Sequence, residues 1–313
     1  MKLGMATPDK SESLRSSRFW RYAAIVVGLV LLATVLSLAT YIALTAARAA
    51  EDALHPPRKP VDRAPSDVGI EEYADVTFTT SDGVALVGWY VPPENGVVII
   101  LAHGYSGNRL MLLTEAQILV EQGYGVLLFD FRGHGESDDA LVTLGDHEQR
   151  DLGAAIAFVA AQPGVDKIGA LGFSMGAATL AQVAAHDERL SAVVIEAAFP
   201  SLAEEVRYRS RVFGPLSQIP SLWKVRRLGV DVDGVRPIDD LCAISPRPVL
   251  LIYGELDADV PPGAPQAMFD AACDPADLWI VVGAAHGNYI EIAPGDYPER
   301  LLAFFDMWLL NAR

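Results

Sequence analysis

The residues Gly172-Phe173-Ser174-Met175-Gly176 set one serine between two glycines. The apolar run from Ile168 leads in and the alanine-rich run from Met175 to Ala185 leads out, the order of a strand, a tight turn and a helix. A turn that only needs small residues has the same composition. The chemical alternative is a G-x-S-x-G nucleophile elbow, where a strained turn presents the hydroxyl and the glycines let neighbouring backbone close in. A serine hydroxyl attacks an acyl carbon only when a base takes its proton and a third group fixes the tautomer of that base. The chain must therefore also supply a base, an acid and donors for an oxyanion.

Six histidines are candidates for the base. His55 lies in a proline-rich polar stretch. His186 ends a helix, where a cation suits the dipole. His147 sits in an acidic first helical turn, better explained as a solvated helix start than as a metal ligand. His103 ends a strand before "GYSGN", and His134 lies in the glycine-rich loop "FRGHGES"; with Asp130 it reads as a structural loop residue. His286, in "VVGAAHGNY", follows the last strand in a loop of small residues, downstream of the serine and of a candidate acid. For the acid, "LLIYGELDADVPP" offers Asp257, three residues past Gly254 on a loop leaving a buried strand. Asp259 stands beside Val260-Pro261 and reads as a structural or helix-start residue. Glu196, ending "AVVIEAA", is the alternative acid; Asp239 and Asp240 precede a strand and fall at the wrong end of a sheet. Two backbone N–H groups complete the set. Met175 offers one from a helix N-terminus, and Tyr105, in the loop "LAHGYSGNR", offers the other. One such donor is worth about 2.7–4 kcal/mol in the transition state.

These residues need strands to carry them. "DVTFTT" and "ALVGWYV" flank Ser81-Asp82-Gly83 as a hairpin. "GVVIILAH", "GVLLFDF" and "PVLLIYG" are apolar runs of the kind buried on both faces of a sheet, and "KIGALGF", "SAVVIEAA" and "LWIVVG" read as further strands. Helical spacing appears over Arg109–Gln122, Asp146–Ala161, Met175–Ala185, Gln266–Ala272 and Pro298–Leu310. The alternation predicts a mostly parallel sheet with helices on both faces and an antiparallel start. Residues 199–245 interrupt it with four prolines and with aromatic and basic residues. The stretch is too long for an ordinary connection and is expected to be irregular, forming a lid or small cap.

The N-terminal part differs. Tyr22 to Ala47 holds no charge, and its 26 residues would span about 39 Å as a helix, against a hydrocarbon core of about 30 Å. This predicts a transmembrane signal-anchor over 22–47. A cleaved signal peptide, with Ala47-Arg48-Ala49 as the cut, is the competing reading, but its apolar core should be only about 7–15 residues. The first 50 residues carry six cations against Asp9 and Glu12, and five of the six precede the span. The positive-inside rule then keeps residues 1–21 in the cytoplasm and the body outside. The proline-rich 48–70 reads as a linker and 71–313 as the folded body. The net charge of −16 argues against nucleic acid as a partner. The two cysteines, Cys242 and Cys273, read as small buried hydrophobes, with a single bridge left open.

Taken in order, "HGYSGN", "FDFRGHGES", "GFSMG", and "GELDADVP" followed by "GAAHGN" resemble the α/β-hydrolase superfamily over about residues 71–313. The flavour is similar to membrane-anchored serine hydrolases related to prolyl-oligopeptidase-like enzymes and acyl esterases. The resemblance implies an α/β-hydrolase fold with Ser174 as nucleophile, Asp257 as acid and His286 as base. Tyr105 and Met175 would be the oxyanion donors. It implies a small-molecule acyl ester as substrate and neither metal nor organic cofactor. The single glycine of "HGY" departs from the multi-glycine loop of many lipases and argues against bulky tertiary esters. An acyltransferase on the same triad, or a tethered binding module that keeps the fold, are the alternatives. The aromatic cap and the anchor favour lipid-like or other apolar esters.

Overall fold

The computed structural model describes residues 10–311, so the first nine residues of the expected basic segment lie outside the described residues. Helix α1 (Lys10–Asp52) is followed by an extended stretch that docks on the body. Leu54 is buried, Arg58 Nη2 donates to the Ser137 carbonyl at 2.5 Å, and Asn108 Nδ2 donates to the carbonyls of Lys59 and Pro60. Thus α1 runs past residue 47, where the uncharged run ends. Alanine-rich sequence continues through Ala50, and nothing before Pro56 breaks a helix.

Eight strands form one sheet: β1 (Ala74–Thr79), β2 (Ala85–Val91), β3 (Val97–Ala102), β4 (Gly125–Phe129), β5 (Lys167–Phe173), β6 (Leu190–Glu196), β7 (Val249–Gly254) and β8 (Ala276–Val281). Their spatial order is β1-β2-β4-β3-β5-β6-β7-β8. The β1–β2 and β2–β4 pairs are antiparallel, and every later pair is parallel. Strands β3, β4 and β7 are buried at every residue, which is why they read as unbroken apolar runs rather than alternating ones. Helices α2 (Leu113–Val120), α3 (Glu148–Ala160) and α4 (Met175–His186) connect the central strands. The expected helix from Arg109 opens as a 3-10 turn capped by the Asn108 side chain.

Residues 199–245 are helical, not irregular. They form α5 (Leu202–Arg209), α6 (Pro215–Arg227) and α7 (Pro237–Asp240). Pro215 and Pro237 fall in first turns, where no N–H is required, and Ser201 caps α5 by accepting from the Glu204 N–H. Only Pro220 costs a hydrogen bond inside a helix. The chain closes with α8 (Ala264–Ala271), the short α9 (Tyr289–Ile292) and α10 (Asp296–Phe305), which packs beside α2.

Cys242 and Cys273 are not a pair of buried hydrophobes. They are joined as a disulfide with their Cα atoms 4.5 Å apart, and Cys242 is exposed. The bridge closes a loop around β7, α8 and the segment between them.

Two buried arginines fasten the front of the sheet. Arg132 donates to Asp151 on α3 through Nε at 2.9 Å and Nη2 at 2.7 Å, and to Asp82 in the β1–β2 turn through Nη1 at 2.9 Å. Arg109 donates through its backbone and Nη1 to Asp130 at 2.7 and 2.8 Å, and its guanidinium lies 4.2 Å from the Trp89 ring centre. Asp130 is therefore a loop organiser, as its place in the sequence suggested.

Candidate active site

The end of β5 and the start of α4 meet at Ser174, whose φ of 51° and ψ of −112° fall where an L-residue is strained. The conformation is held by the Ser174 N–H, which donates to the Glu196 carbonyl at 2.8 Å. The flanking glycines are steric requirements. A Cβ on Gly172 would stand 2.6 Å from the Gly176 carbonyl oxygen, and one on Gly176 would stand 2.1 Å from the carbonyl oxygen of Ala102. The elbow thus packs against the end of β3 with no room for a methyl group.

Three loops at the carboxyl ends of β5, β7 and β8 converge. His286 Nε2 lies 3.0 Å from Ser174 Oγ, and His286 Nδ1 lies 2.8 Å from Asp257 Oδ2. The Asp257 side chain is 2% exposed. Its other oxygen accepts from the Asp259 N–H at 2.8 Å, so one carboxylate shapes its own loop and orients the imidazole. The Phe173 ring packs 4.9 Å from the His286 ring, and Gly254 lets the β7 turn approach the carbonyls of Ala284 and Ala285. Asp259 is exposed and pairs with Arg209. Ligand atoms of Asp257, Asp259 and His286 lie within 4.8 Å of one another, which is metal-like spacing. Both imidazole nitrogens are already engaged by Asp257 and Ser174, so the set is better suited to proton transfer than to holding an ion.

Glu196 is elsewhere. It is buried behind the elbow, where its Oε1 accepts from the Tyr297 hydroxyl at 2.6 Å. Burial and the neighbouring Glu115 push its carboxyl well above the usual range, so its neutral form is favoured. Burial likewise pushes Glu115 up to about 7.

The Met175 N–H opens α4, where the first turn has no acceptor of its own. The Tyr105 N–H makes no hydrogen bond among the described residues. Both residues line, with Ser174, a cavity of about 440 Å³ that extends to α1. That volume is in the range of small-molecule sites.

The α/β hydrolase fold family matches residues 97–218. An uncharacterised protein of Mycobacterium tuberculosis is 31% identical over 225 residues, 68% of this chain and 72% of its own length. An esterase from Pyrococcus furiosus superposes with a TM-score of 0.71 at 27% identity, over 82% of this chain and 98% of the esterase. The chain belongs to the α/β-hydrolase family. A thiohydrolase of Aspergillus aculeatus is 31% identical over 189 residues, 53% of this hydrolase and 59% of its own length.

Two histidines of this hydrolase are structural: His134, as its place in the glycine-rich loop suggested, and His103, to which the sequence assigned no role. His103 Nε2 accepts from the Phe131 N–H at 3.0 Å while its Nδ1 donates to the Gly104 carbonyl at 2.8 Å. His134 Nε2 accepts from the Ser106 N–H at 3.2 Å while its Nδ1 donates to the Arg132 carbonyl. Each imidazole is a neutral strut that ties the Tyr105 loop to the "FRGHGES" loop. The signal was the type of residue at a strand end next to a glycine-rich loop, but it does not distinguish a strut from a base. His55, His147 and His186 lie away from the serine. His55 Nδ1 is 3.2 Å from the Glu51 carbonyl, and His147 and His186 sit near Asp146 and Asp240.

Burial depresses His103 to about 3, with the neighbouring His134 adding to the effect. A depressed histidine stabilises the fold fully above its unfolded pKa of about 6.5, and the contribution is lost as pH falls from there toward 3. Between pH 6.5 and 5 this one group should remove about 2 kcal/mol. A His103→Gln variant should be less stable at pH 8 yet show a flatter stability–pH profile over that window. Equal slopes in the two proteins would refute the buried neutral state.

Proposed function

We propose that this hydrolase is a membrane-anchored serine esterase working through an acyl-enzyme. The observation that carries the reading is the unbroken line Asp257–His286–Ser174, with contacts of 2.8 and 3.0 Å, ending on a strained serine beside two N–H groups without acceptors among the described residues. In this reading His286 Nε2 takes the Ser174 proton as Oγ bonds to the acyl carbon. The tetrahedral oxyanion accepts from the Tyr105 and Met175 N–H groups. Collapse breaks the ester C–O bond, and the leaving alkoxide takes the proton from His286. Water then attacks the acyl-enzyme with His286 as base, releasing the acid and returning the proton to Ser174. The Asp257 carboxylate fixes the Nδ1–H tautomer and stabilises the imidazolium. The thiohydrolase relative extends the candidate class to thioesters.

Residues 199–245 act as a cap over the serine: Tyr208 Oη donates to the Ala258 carbonyl and Arg209 to the Asp259 carbonyl, linking α5 to the acid loop. Helix α1 contains a span of mean hydropathy 2.5 that buries none of its surface in the protein, as a membrane anchor requires. In this reading the cations before it keep the N-terminus on the cytoplasmic side. The disulfide agrees with a body on the oxidising side.

A fluorophosphonate probe should label the full-length protein and fail to label Ser174→Ala. The unmodified protein should turn over p-nitrophenyl esters and the variant should not. Equal labelling of both would remove Ser174 from the reaction, and no labelling of a folded protein would favour a binding module.

A further inference from the structure

Helix α1 changes character at one point. From Tyr22 to Tyr41 it is exposed along nearly its whole length. Those 20 residues span about 30 Å, the thickness of a bilayer core. From Ile42 onward it packs on the body, and Ile42, Ala46, Ala49 and Ala53, one stripe at helical spacing, line the cavity that holds Ser174. The cavity wall therefore begins where the bilayer would end.

The cap continues this surface. Ser221 Oγ donates to the Ala46 carbonyl at 3.2 Å and Lys224 pairs with Glu51 at 2.9 Å, so α6 runs in the same direction as α1. The start of α6 and the turn before it consequently lie at the bilayer end. There Val212, Phe213, Leu216 and Ile219 are exposed, Val212 at 78%. A solvated tip would not carry that much adjacent apolar surface. Residues 199–230 hold six cations against Glu204 and Glu205 in a chain of net charge −16, and Arg207, Arg211 and Arg227 form no ion pair among the described residues. A cationic, apolar-tipped cap beside a spanning helix matches an anionic bilayer surface.

We propose that α1 is one wall of the acyl-binding site, and that the substrate is an acyl ester resident in the bilayer whose chain passes sideways along α1 to Ser174. This rests on the serine-esterase reading and names its substrate class and route. The chain lies against the alanine stripe, where small side chains leave it room. The polar end of the cavity is Glu205. Of the buried side-chain polar atoms without a partner among the described residues, only Glu205 Oε2 belongs to a cavity-lining residue, and it can accept from a hydroxyl on the alcohol part.

The test uses the full chain reconstituted in mixed phosphatidylcholine–phosphatidylglycerol vesicles. Ala49→Trp fills the wall and should lower kcat/KM for p-nitrophenyl palmitate relative to p-nitrophenyl acetate by about tenfold or more, since several methylenes lose their burial against α1. An unchanged ratio would overturn the proposal. Because the bulky variant could fail to fold, a second measurement uses Ser174→Ala in vesicles doped with a photoreactive palmitoyl ester. Adducts on residues 42–53 and on Val212–Phe213 are expected; adducts confined to 22–41 would show an anchor and nothing more, and would also overturn it. Fluorophosphonate labelling of the unmodified protein is run in parallel. If it fails, the esterase reading has failed; if it succeeds while the ratio and the adducts do not respond, only the α1 route has.

Discussion

Asp257→Asn lowers kcat by about 10⁴-fold and leaves the fold intact. The expectation follows from how Asp257 divides its two oxygens. Oδ1 accepts from the Asp259 N–H and shapes the loop, and an asparagine oxygen serves that contact equally well. Oδ2 accepts from His286 Nδ1, and there the asparagine NH₂ faces an N–H it cannot accept from. The imidazole must turn or adopt the other tautomer, and Nε2 then presents a proton to Ser174 instead of a lone pair. Steady-state turnover of a short p-nitrophenyl ester reads the effect, with circular dichroism as the fold control. Glu196→Gln is the matched comparison. Its carboxyl lies behind the elbow, bonded to the Tyr297 hydroxyl and not to His286, and burial favours its neutral form, so turnover should change little. If the two variants exchange behaviour, the acid has been wrongly assigned.

Arg132→Ala destabilises the body by about 3–5 kcal/mol, because it leaves the Asp151 carboxylate wholly buried without its counter-ion. At the size of this domain that is a fall in melting temperature of roughly 10 °C. Adding Asp151→Asn removes the stranded charge and should recover part of the loss. The pair can be followed by thermal unfolding in detergent. Independent, additive losses would mean that the two side chains do not act as one unit.

The parts of the fold legible in the sequence are those set by local chemistry. Strands such as β3 and β7 announce themselves because both faces are buried, and the elbow does because no other residues fit beside the carbonyl oxygens of Ala102 and Gly176. Asp257 and His286 were legible as candidates because each sits in a loop just past an apolar strand run, β7 buried throughout and β8 largely half-buried. The cap was expected at 199–245, but its helices were not, because its prolines read as breakers although Pro215 and Pro237 occupy first turns that tolerate them. His134 was legible as a structural loop residue and the Cys242–Cys273 bridge was left open, but their partners and that of His103 lie 28 to 31 residues away, and no local pattern encodes such meetings. The second half of α1 was hidden for the same reason. Alanines suit an anchor and a cavity wall alike, and only α6 across from them distinguishes the two.

Helix α1 carries no proline or break between its exposed span and the stripe at Ala46–Ala53. A stiff rod of this kind cannot lean in a membrane without moving both ends. Spans accommodate a thinner or thicker bilayer largely by changing tilt, at a modest cost per ångström. On the proposed acyl route, tilt of residues 22–41 would swing the wall facing Ser174, and the width of the slot would follow the thickness of the surrounding membrane. Lipid composition would then act on this hydrolase twice, as the source of its substrate and as the lever that sets its aperture.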